Sequence, residues 1–441
     1  MEIMGLTHLS RIAWTGIVLG VTLALVGCAG GRPLMPTPVL YTLGQFEPFG
    51  HLSGSLQVTE IDMLYVTDRQ PETTEGGRLT YGIGRSNSVA FGTARVDVTS
   101  DVSWDELIID ARTAQRKKPL ELALGLVTEL GRAPPTPIPW KLVDGLVVSD
   151  PDVVATQRQA MEVFHAALVK RLALTDRKEV FLYVHGIQNS FADAVFAMSE
   201  IWHFMGREGV PITYTWPAGG GGLLRGYNRD RESGEFTTFH LKNLIRLLAS
   251  FPEVESLHII AHSRGTDIIL TALRELLIEV RASNKNPLEV LKIQNIVLAA
   301  PDLDLSITMQ RVAAEHIASA AGRMTIYTSP NDKAISLAEF LFGGLIRLGQ
   351  LDLLQLDDDL KQAAASVGTN IAIIEYTGSR SGSFGHSYFR ENPAVASDLI
   401  LALRYDRNPG AKNGRPLKQV GPIFWQIDDD YLADAASSKS Q

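Results

Sequence analysis

Beyond residue 60 the chain alternates between two kinds of pattern. Short runs of consecutive apolar residues occur at Met63–Thr67, Ser88–Val98, Val180–Val184, Ile212–Trp216, Leu257–Ala261, Ile293–Ala299, Met324–Thr328 and Ile371–Tyr376. Their length and β-branched or aromatic content predict strands. Between most of them, apolar residues recur every three or four positions, over 153–173, 191–207, 237–250, 266–281, 307–321 and 393–404. In the fourth stretch Ile269, Ala272, Leu273, Leu276, Leu277 and Val280 make one buried helical face. Strands that alternate with helices of this length predict an α/β fold with a mostly parallel sheet covered on both faces. One large domain over 59–405 accommodates the whole series, with no internal repeat.

The flanks differ in texture. Residues 28–58 are rich in Pro and Gly and predict a tether. Residues 334–366 form an apolar insertion between the last two strands, expected to be packed helix. The stretch 406–441 is polar and ends in AASSKSQ, which predicts a loose tail.

Composition narrows the function. The 441 residues carry a net charge of −8, with 45% hydrophobic and 20% charged residues. These proportions suit a globular chain. The acidic balance argues against a nucleic-acid partner, which would need a basic surface. A single cysteine excludes an intramolecular disulfide and any cysteine-rich zinc site, and no metal or organic cofactor is implied.

That cysteine follows sixteen uncharged residues, 12–27, preceded by Arg11. The run has the length of a signal-peptide core and is short for a membrane span. Leu25-Val26-Gly27-Cys28, with Ala29 next, resembles the bacterial lipobox, in which the sulfur is acylated and the chain is cut before it. The resemblance implies a signal peptide over 1–27 and a lipid-anchored envelope protein carrying diacylglyceryl and palmitoyl groups on Cys28. With Ala29 rather than Asp after the cysteine, the outer membrane, facing the periplasm, is the expected destination.

The candidate chemistry begins at Ala261-His262-Ser263-Arg264-Gly265, between a predicted strand and a predicted helix. A nucleophilic serine on such a turn needs small residues two positions before and after it. Gly265 meets that need, and Ala261 stands where glycine is usual. The following helix aims its free amides at the same point. A second strand runs into Val184-His185-Gly186-Ile187, which resembles the oxyanion loop of α/β-hydrolases. The Ile187 and Arg264 amides are its expected donors.

A serine needs a base. With the chain order nucleophile, acid, histidine, His386 in Gly382-Ser383-Phe384-Gly385-His386 is the candidate. His262 adjoins the serine and is expected to be structural, as are His258 in a strand and His316 in a predicted helix. Two acids lie after strands. Asp332 is preferred, and Asp302 is the alternative.

The blocks VHGIQNSF, TWPAGGGGLLRGYNRDRES, AHSRG, VLAAPDLD, SPNDKAI and GHSYF together resemble a bacterial α/β-hydrolase family of the domain-of-unknown-function 900 type, over about 60–405. The resemblance implies an esterase- or lipase-like enzyme with Ser263, Asp332 and His386 as its triad. It would act on a small-molecule or lipid ester. The same residues would serve an amidase, thioesterase or acyltransferase, and a non-catalytic envelope lipoprotein is the remaining alternative. Leu337, Phe340, Leu341 and Phe342 are candidate acyl-pocket residues. The block Trp216–Ser233, with Tyr227, Asp230 and Arg231, has no derived role beyond bordering the site.

Overall fold

An uninterrupted apolar run has no polar face to offer water, so it is stable as a strand only where both faces are covered. The computed structural model describes residues 31–98, 101–336, 346–353, 356, 368, 370–379 and 385–432. In it those runs form the middle of one sheet. The strands are β1 (Arg32–Pro33), β2 (Ile61–Thr73), β3 (Leu79–Val98) and β4 (Glu121–Arg132). A separate ribbon follows, β5 (Trp140–Val143) and β6 (Leu146–Ser149). The sheet continues with β7 (Glu179–Val184), β8 (Val210–Thr215), β9 (Ser256–His262), β10 (Ile293–Ala299) and β11 (Ala321–Thr328). It ends with β12 (Ile371–Tyr376), β13 (Lys418–Gln419) and β14 (Phe424–Ile427).

The spatial order is β1-β4-β3-β2-β8-β7-β9-β10-β11-β12-β14-β13. From β2 through β14 neighbours run parallel. The edges β1-β4-β3-β2 and β14-β13 are antiparallel. Six helices matter here: α1 (Val39–Thr42), α2 (Pro151–Leu172), α3 (Phe191–Phe204), α4 (Tyr227–Ser250), α5 (Gly265–Ala282) and α6 (Pro393–Leu403). Alternate residues of each central strand enter opposite cores. Leu182, Val184 and Ile259 pack with α2, α4 and α5. Phe181, Tyr183 and Ile260 pack with α1, α3 and α6. The order turns at β7: α3 leads to β8 on one side of it, and α4 leads back to β9 on the other. Helices on opposite faces therefore diverge above the carboxyl ends of β7 and β9, leaving a crevice there.

Three expectations need correction. Residues 31–58 are no free tether. β1 pairs with β4, Leu34, Met35, Leu40, Tyr41 and Phe49 are buried, and the Leu40 amide donates to Ser397 on α6. The domain also runs past 405, since β14 joins β12 and buries Phe424 and Ile427. The helix expected over 307–321 breaks into the short turns Leu305–Thr308, Met309–Ala314 and Ile317–Ala320. His316 sits between the last two at φ 54°, a conformation that a continuing helix excludes. Most of the 334–366 insertion lies outside the described residues. The part at 346–351 returns to the sheet, with the Leu348 and Gly349 amides donating to the Leu303 and Pro301 carbonyls.

Candidate active site

β9 ends at His262, and Ser263 takes φ 54° before α5 begins at Gly265. A left-handed backbone at a non-glycine residue costs about 1–3 kcal/mol, so the surroundings must hold it. They do so from both sides. The Ser263 amide donates to the Ala299 carbonyl at 3.0 Å, and its carbonyl accepts from the Thr266 amide and hydroxyl. Gly265 is needed because a Cβ there would lie 2.5 Å from the His185 carbonyl oxygen. Gly186 is needed because its Cβ would lie 2.6 Å from the Ser263 Cβ and 3.0 Å from its Oγ. The loop after β7 thus rests directly on the serine. The Ile187 amide and that of Arg264 donate to no described residue, which leaves both donors free at the mouth of the turn.

Asp332 follows β11 and is fully buried. One carboxylate oxygen accepts from the Ala334 and Ile335 amides, both at 3.1 Å, which fixes its rotamer. The other accepts from His386 Nδ1 at 2.7 Å. Burial disfavours the imidazolium of His386, but the charge and hydrogen bond of Asp332 outweigh it, and the net shift is upward from the ordinary value. With Nδ1 committed to the carboxylate, Nε2 is the nitrogen left for a substrate or nucleophile.

Asp302 does not meet His386. Its carboxylate accepts from the Tyr227 hydroxyl at 2.9 Å and pairs with Arg347 at 3.2 Å, while its amide donates to the Ser263 carbonyl. His262 does meet it. The two rings are 4.7 Å apart, and His262 Nε2 donates to the His386 carbonyl oxygen at 3.2 Å. Burial, with the neighbouring His386 adding to it, holds the His262 pKa well below its ordinary value, so this ring is a neutral donor.

Behind the serine lies a polar scaffold that motif spacing did not reveal. The Trp216 amide donates to His185 Nε2 at 3.0 Å, so the His185 proton resides on Nδ1, against the Gly186 carbonyl at 2.7 Å. Burial and the Arg69 charge keep that ring neutral. Buried Arg69 donates to the Gly82, Ala218 and Asn189 carbonyls. Burial pulls its pKa down to about 10, with Asp68 and Asp230 acting against that, and it stays cationic at neutral pH. Asp230, on the first turn of α4, accepts from the Gln188 amide at 2.8 Å and from the Gly219 amide at 3.1 Å. Burial raises its pKa against the pull of those two amides. Asp230 therefore clamps the Gly-rich loop of 216–226 to the loop that carries Ile187. The sequence carries no distinct signal for this, since an aspartate on the first turn of a helix also reads as an ordinary cap.

Among the described residues no cluster of three His, Cys, Asp or Glu side chains could hold a metal ion. Cys28, Leu337, Phe340, Leu341, Phe342 and Gly382–Phe384 lie outside the described residues. Residues 160–404 match the family described as alpha/beta hydrolase of unknown function (DUF900). Among curated proteins, none matches the sequence.

Proposed function

The chain belongs to this family of alpha/beta hydrolases, and on that premise we propose that it is a serine hydrolase, specifically a carboxylic ester hydrolase using Ser263, His386 and Asp332. The observation that carries the reading is the 2.7 Å Asp332–His386 hydrogen bond, with His386 packed on His262, the residue before a serine held at φ 54°. In the proposed reaction His386 Nε2 takes the Ser263 proton while Oγ attacks the ester carbonyl. The carbonyl oxygen becomes negative and accepts from the Ile187 and Arg264 amides. Losing one such donor typically costs about 10²–10³ in rate. Collapse expels the alcohol, which leaves with the proton from His386. Water, deprotonated by His386, then attacks the acyl-enzyme and frees the acid and Ser263. Asp332 holds the imidazole in the required tautomer and stabilises its charged form, without taking the proton.

A fluorophosphonate probe tests the nucleophile. The purified protein should label at Ser263, and labelling that survives Ser263→Ala would remove the assignment. Nitrophenyl esters of graded acyl length, run beside the matching anilide and thioester, test the bond class. Preferred turnover of either of the latter would replace the ester assignment.

The same reading includes an anchor: acylation of Cys28, with the enzyme on the outer membrane facing the periplasm. Two or more acyl chains are enough for stable membrane attachment. Radiolabelled palmitate should enter the wild-type chain and not Cys28→Ser, and fractionated envelopes should carry the label with the outer membrane.

A further inference from the structure

The ribbon β5–β6 is at odds with its surroundings. It pairs only with itself, and all eight of its strand residues are exposed. Leu146 is 70%, Val147 65%, Leu142 64% and Trp140 58% exposed. A lone two-stranded ribbon is marginal in water, and a contiguous apolar patch on a soluble surface marks an interaction site. Its own geometry is nevertheless well made. Asp144 and Gly145 take φ 50° and 78°, the tight turn that matches strand twist. Its base is closed by the Asp150 amide on the Pro139 carbonyl at 2.8 Å, where Asp150 caps α2.

The pairing Trp140↔Ser149, Lys141↔Val148, Leu142↔Val147 and Val143↔Leu146 sets which residues share a face. Trp140, Leu142 and Val147 lie on one face, and Val143, Leu146 and Val148 on the other. A second protein docked on either face would leave the other apolar face in water. A lipid interface, whose boundary layer is about 5–10 Å deep, can take both. Tryptophan and lysine at the base are the residues that settle at headgroup level. Asp144 at the turn keeps the ribbon shallow, lying in that layer rather than crossing it.

The chain supplies the membrane. Gly31 packs against the Leu122 backbone, and a Cβ there would lie 2.9 Å from the Leu122 carbonyl oxygen. Cys28 is three residues upstream, a reach of roughly 10 Å at most. An acylated sulfur therefore holds the start of β4 close to the headgroups. Among the described residues β1 covers only Glu121 and Leu122, and nothing described pairs with the rest of that edge of β4, along which Leu126 and Leu130 are exposed. Beyond β4 the chain stays on β3, the Ala133 and Thr136 amides donating to the Val89 and Asn87 carbonyls, before it reaches the ribbon.

We propose that the β5–β6 ribbon, with the outer edge of β4, lies in the interfacial layer of the bilayer that carries the Cys28 acyl chains, as a second point of attachment. The proposal rests on the acylation of Cys28. Because the natural chain has no other cysteine, Leu146→Cys gives the acylated protein one reactive thiol for an environment-sensitive fluorophore. Lys418→Cys, on exposed β13 at the opposite sheet edge, is the reference. Both variants go into phosphatidylethanolamine–phosphatidylglycerol vesicles with a doxyl-labelled lipid, and turnover of a water-soluble ester checks their folding. Val147→Cys replaces Leu146→Cys if that variant folds poorly. The expected result is loss of most emission from the ribbon position to the doxyl lipid, with the β13 position unaffected. Protein that floats with the vesicles but is quenched equally at both positions overturns the ribbon alone. Disulfide-linked dimers through the thiol introduced on the ribbon, without lipid quenching, overturn it in favour of a second copy. Protein that takes up no palmitate and does not float removes the anchor reading and this proposal with it.

Discussion

Among the described residues two aspartate–histidine pairs occur, and one of them lies near a strained turn. Asp332 and His386 meet at 2.7 Å, and the His386 ring lies 4.7 Å from that of His262, the residue before Ser263. On the other side of the sheet, buried Asp68 meets His240 Nδ1 at 3.0 Å, and His240 Nε2 lies 3.1 Å from the Thr136 hydroxyl. Each pair has a hydroxyl residue near it: Thr136 on His240, and Ser263 next in the chain to His262, whose ring packs on that of His386. The difference lies in the backbone. Ser263 sits in the left-handed region between a strand and a long helix, with Gly186 packed on it and two free amides beside it. The Thr136 hydroxyl also lies 3.0 Å from the Asn87 carbonyl, which competes for its one proton. Asp68 is held further by the Thr237 hydroxyl at 2.9 Å. The second group pins β2 to α4; its partners are spent on structure. On the proposed reading, what separates the two pairs is the main chain at the hydroxyl, not the carboxylate behind the histidine.

The sharpest way to break this contrast is at the hydroxyls. Ser263→Ala should lower ester turnover by about 10⁶-fold and abolish probe labelling, while Thr136→Ala leaves both at wild-type levels. Steady-state kinetics and gel fluorescence read the two together. If the Thr136 variant lost turnover in a folded protein, the buried group would have to be promoted to chemistry.

The acids come next. Asp332→Asn should cost about 10⁴-fold in kcat, because the amide no longer enforces the correct tautomer. Asp68→Asn should leave kcat near wild type and act on stability instead. Weakening the hydrogen bonds of a buried carboxylate costs about 1–3 kcal/mol, measurable by urea unfolding. A large kcat loss for Asp302→Asn with none for Asp332→Asn would exchange the two acids.

How far the sequence reached divides along the same line. The central strands were legible because they are apolar on both faces, and Ser263, His386 and Asp332 stood out as candidates because each follows such a strand at its carboxyl end. The edges were not. β1 is a two-residue strand ending in Pro33, set by its partner β4 rather than by any local pattern. The segment 31–58 has the Pro and Gly content of a linker, yet Leu34, Met35, Leu40, Tyr41 and Phe49 give it a core of its own. Phe424–Ile427 is too short to announce a strand, though it completes the parallel series. Asp230 was illegible for another reason. A first-turn aspartate looks like any helix cap, and its partners Gln188 and Gly219 belong to different loops.

Asp230 offers a smaller test of what separates the two pairs. Asp230→Asn keeps the size of the clamp and removes its charge, loosening the loop that carries the Ile187 amide without deleting that donor. The expected loss in kcat is no more than about 10-fold, well below the 10²–10³ of an absent donor. KM for a short ester should change little, since the residue touches the loop and not the ester. A loss as large as that of Asp332→Asn would mean that the loop collapses when the charge is gone.

The smallest expected effect is in pH dependence, and its sign follows from the groups around His386. In the proposed mechanism the base must be neutral to take the serine proton. Burial favours that neutral form, but Asp332 first and Asp302 more weakly favour the cation, and the net pKa lies above 6.5. The acid limb of kcat/KM should therefore lie above pH 6.5. Asp302→Asn should move that limb slightly to lower pH. In the residual activity of Asp332→Asn the limb should move further the same way, because burial then acts with less opposition. Asp68→Asn should leave it where it is. Folding stability must obey the same linkage. The contribution from His386 is full below its ordinary 6.5 and fades as pH rises through its raised value. An acid limb that moved with Asp68 and not with Asp332 would assign the base to His240, and the distinction drawn from the backbone at Ser263 would fall.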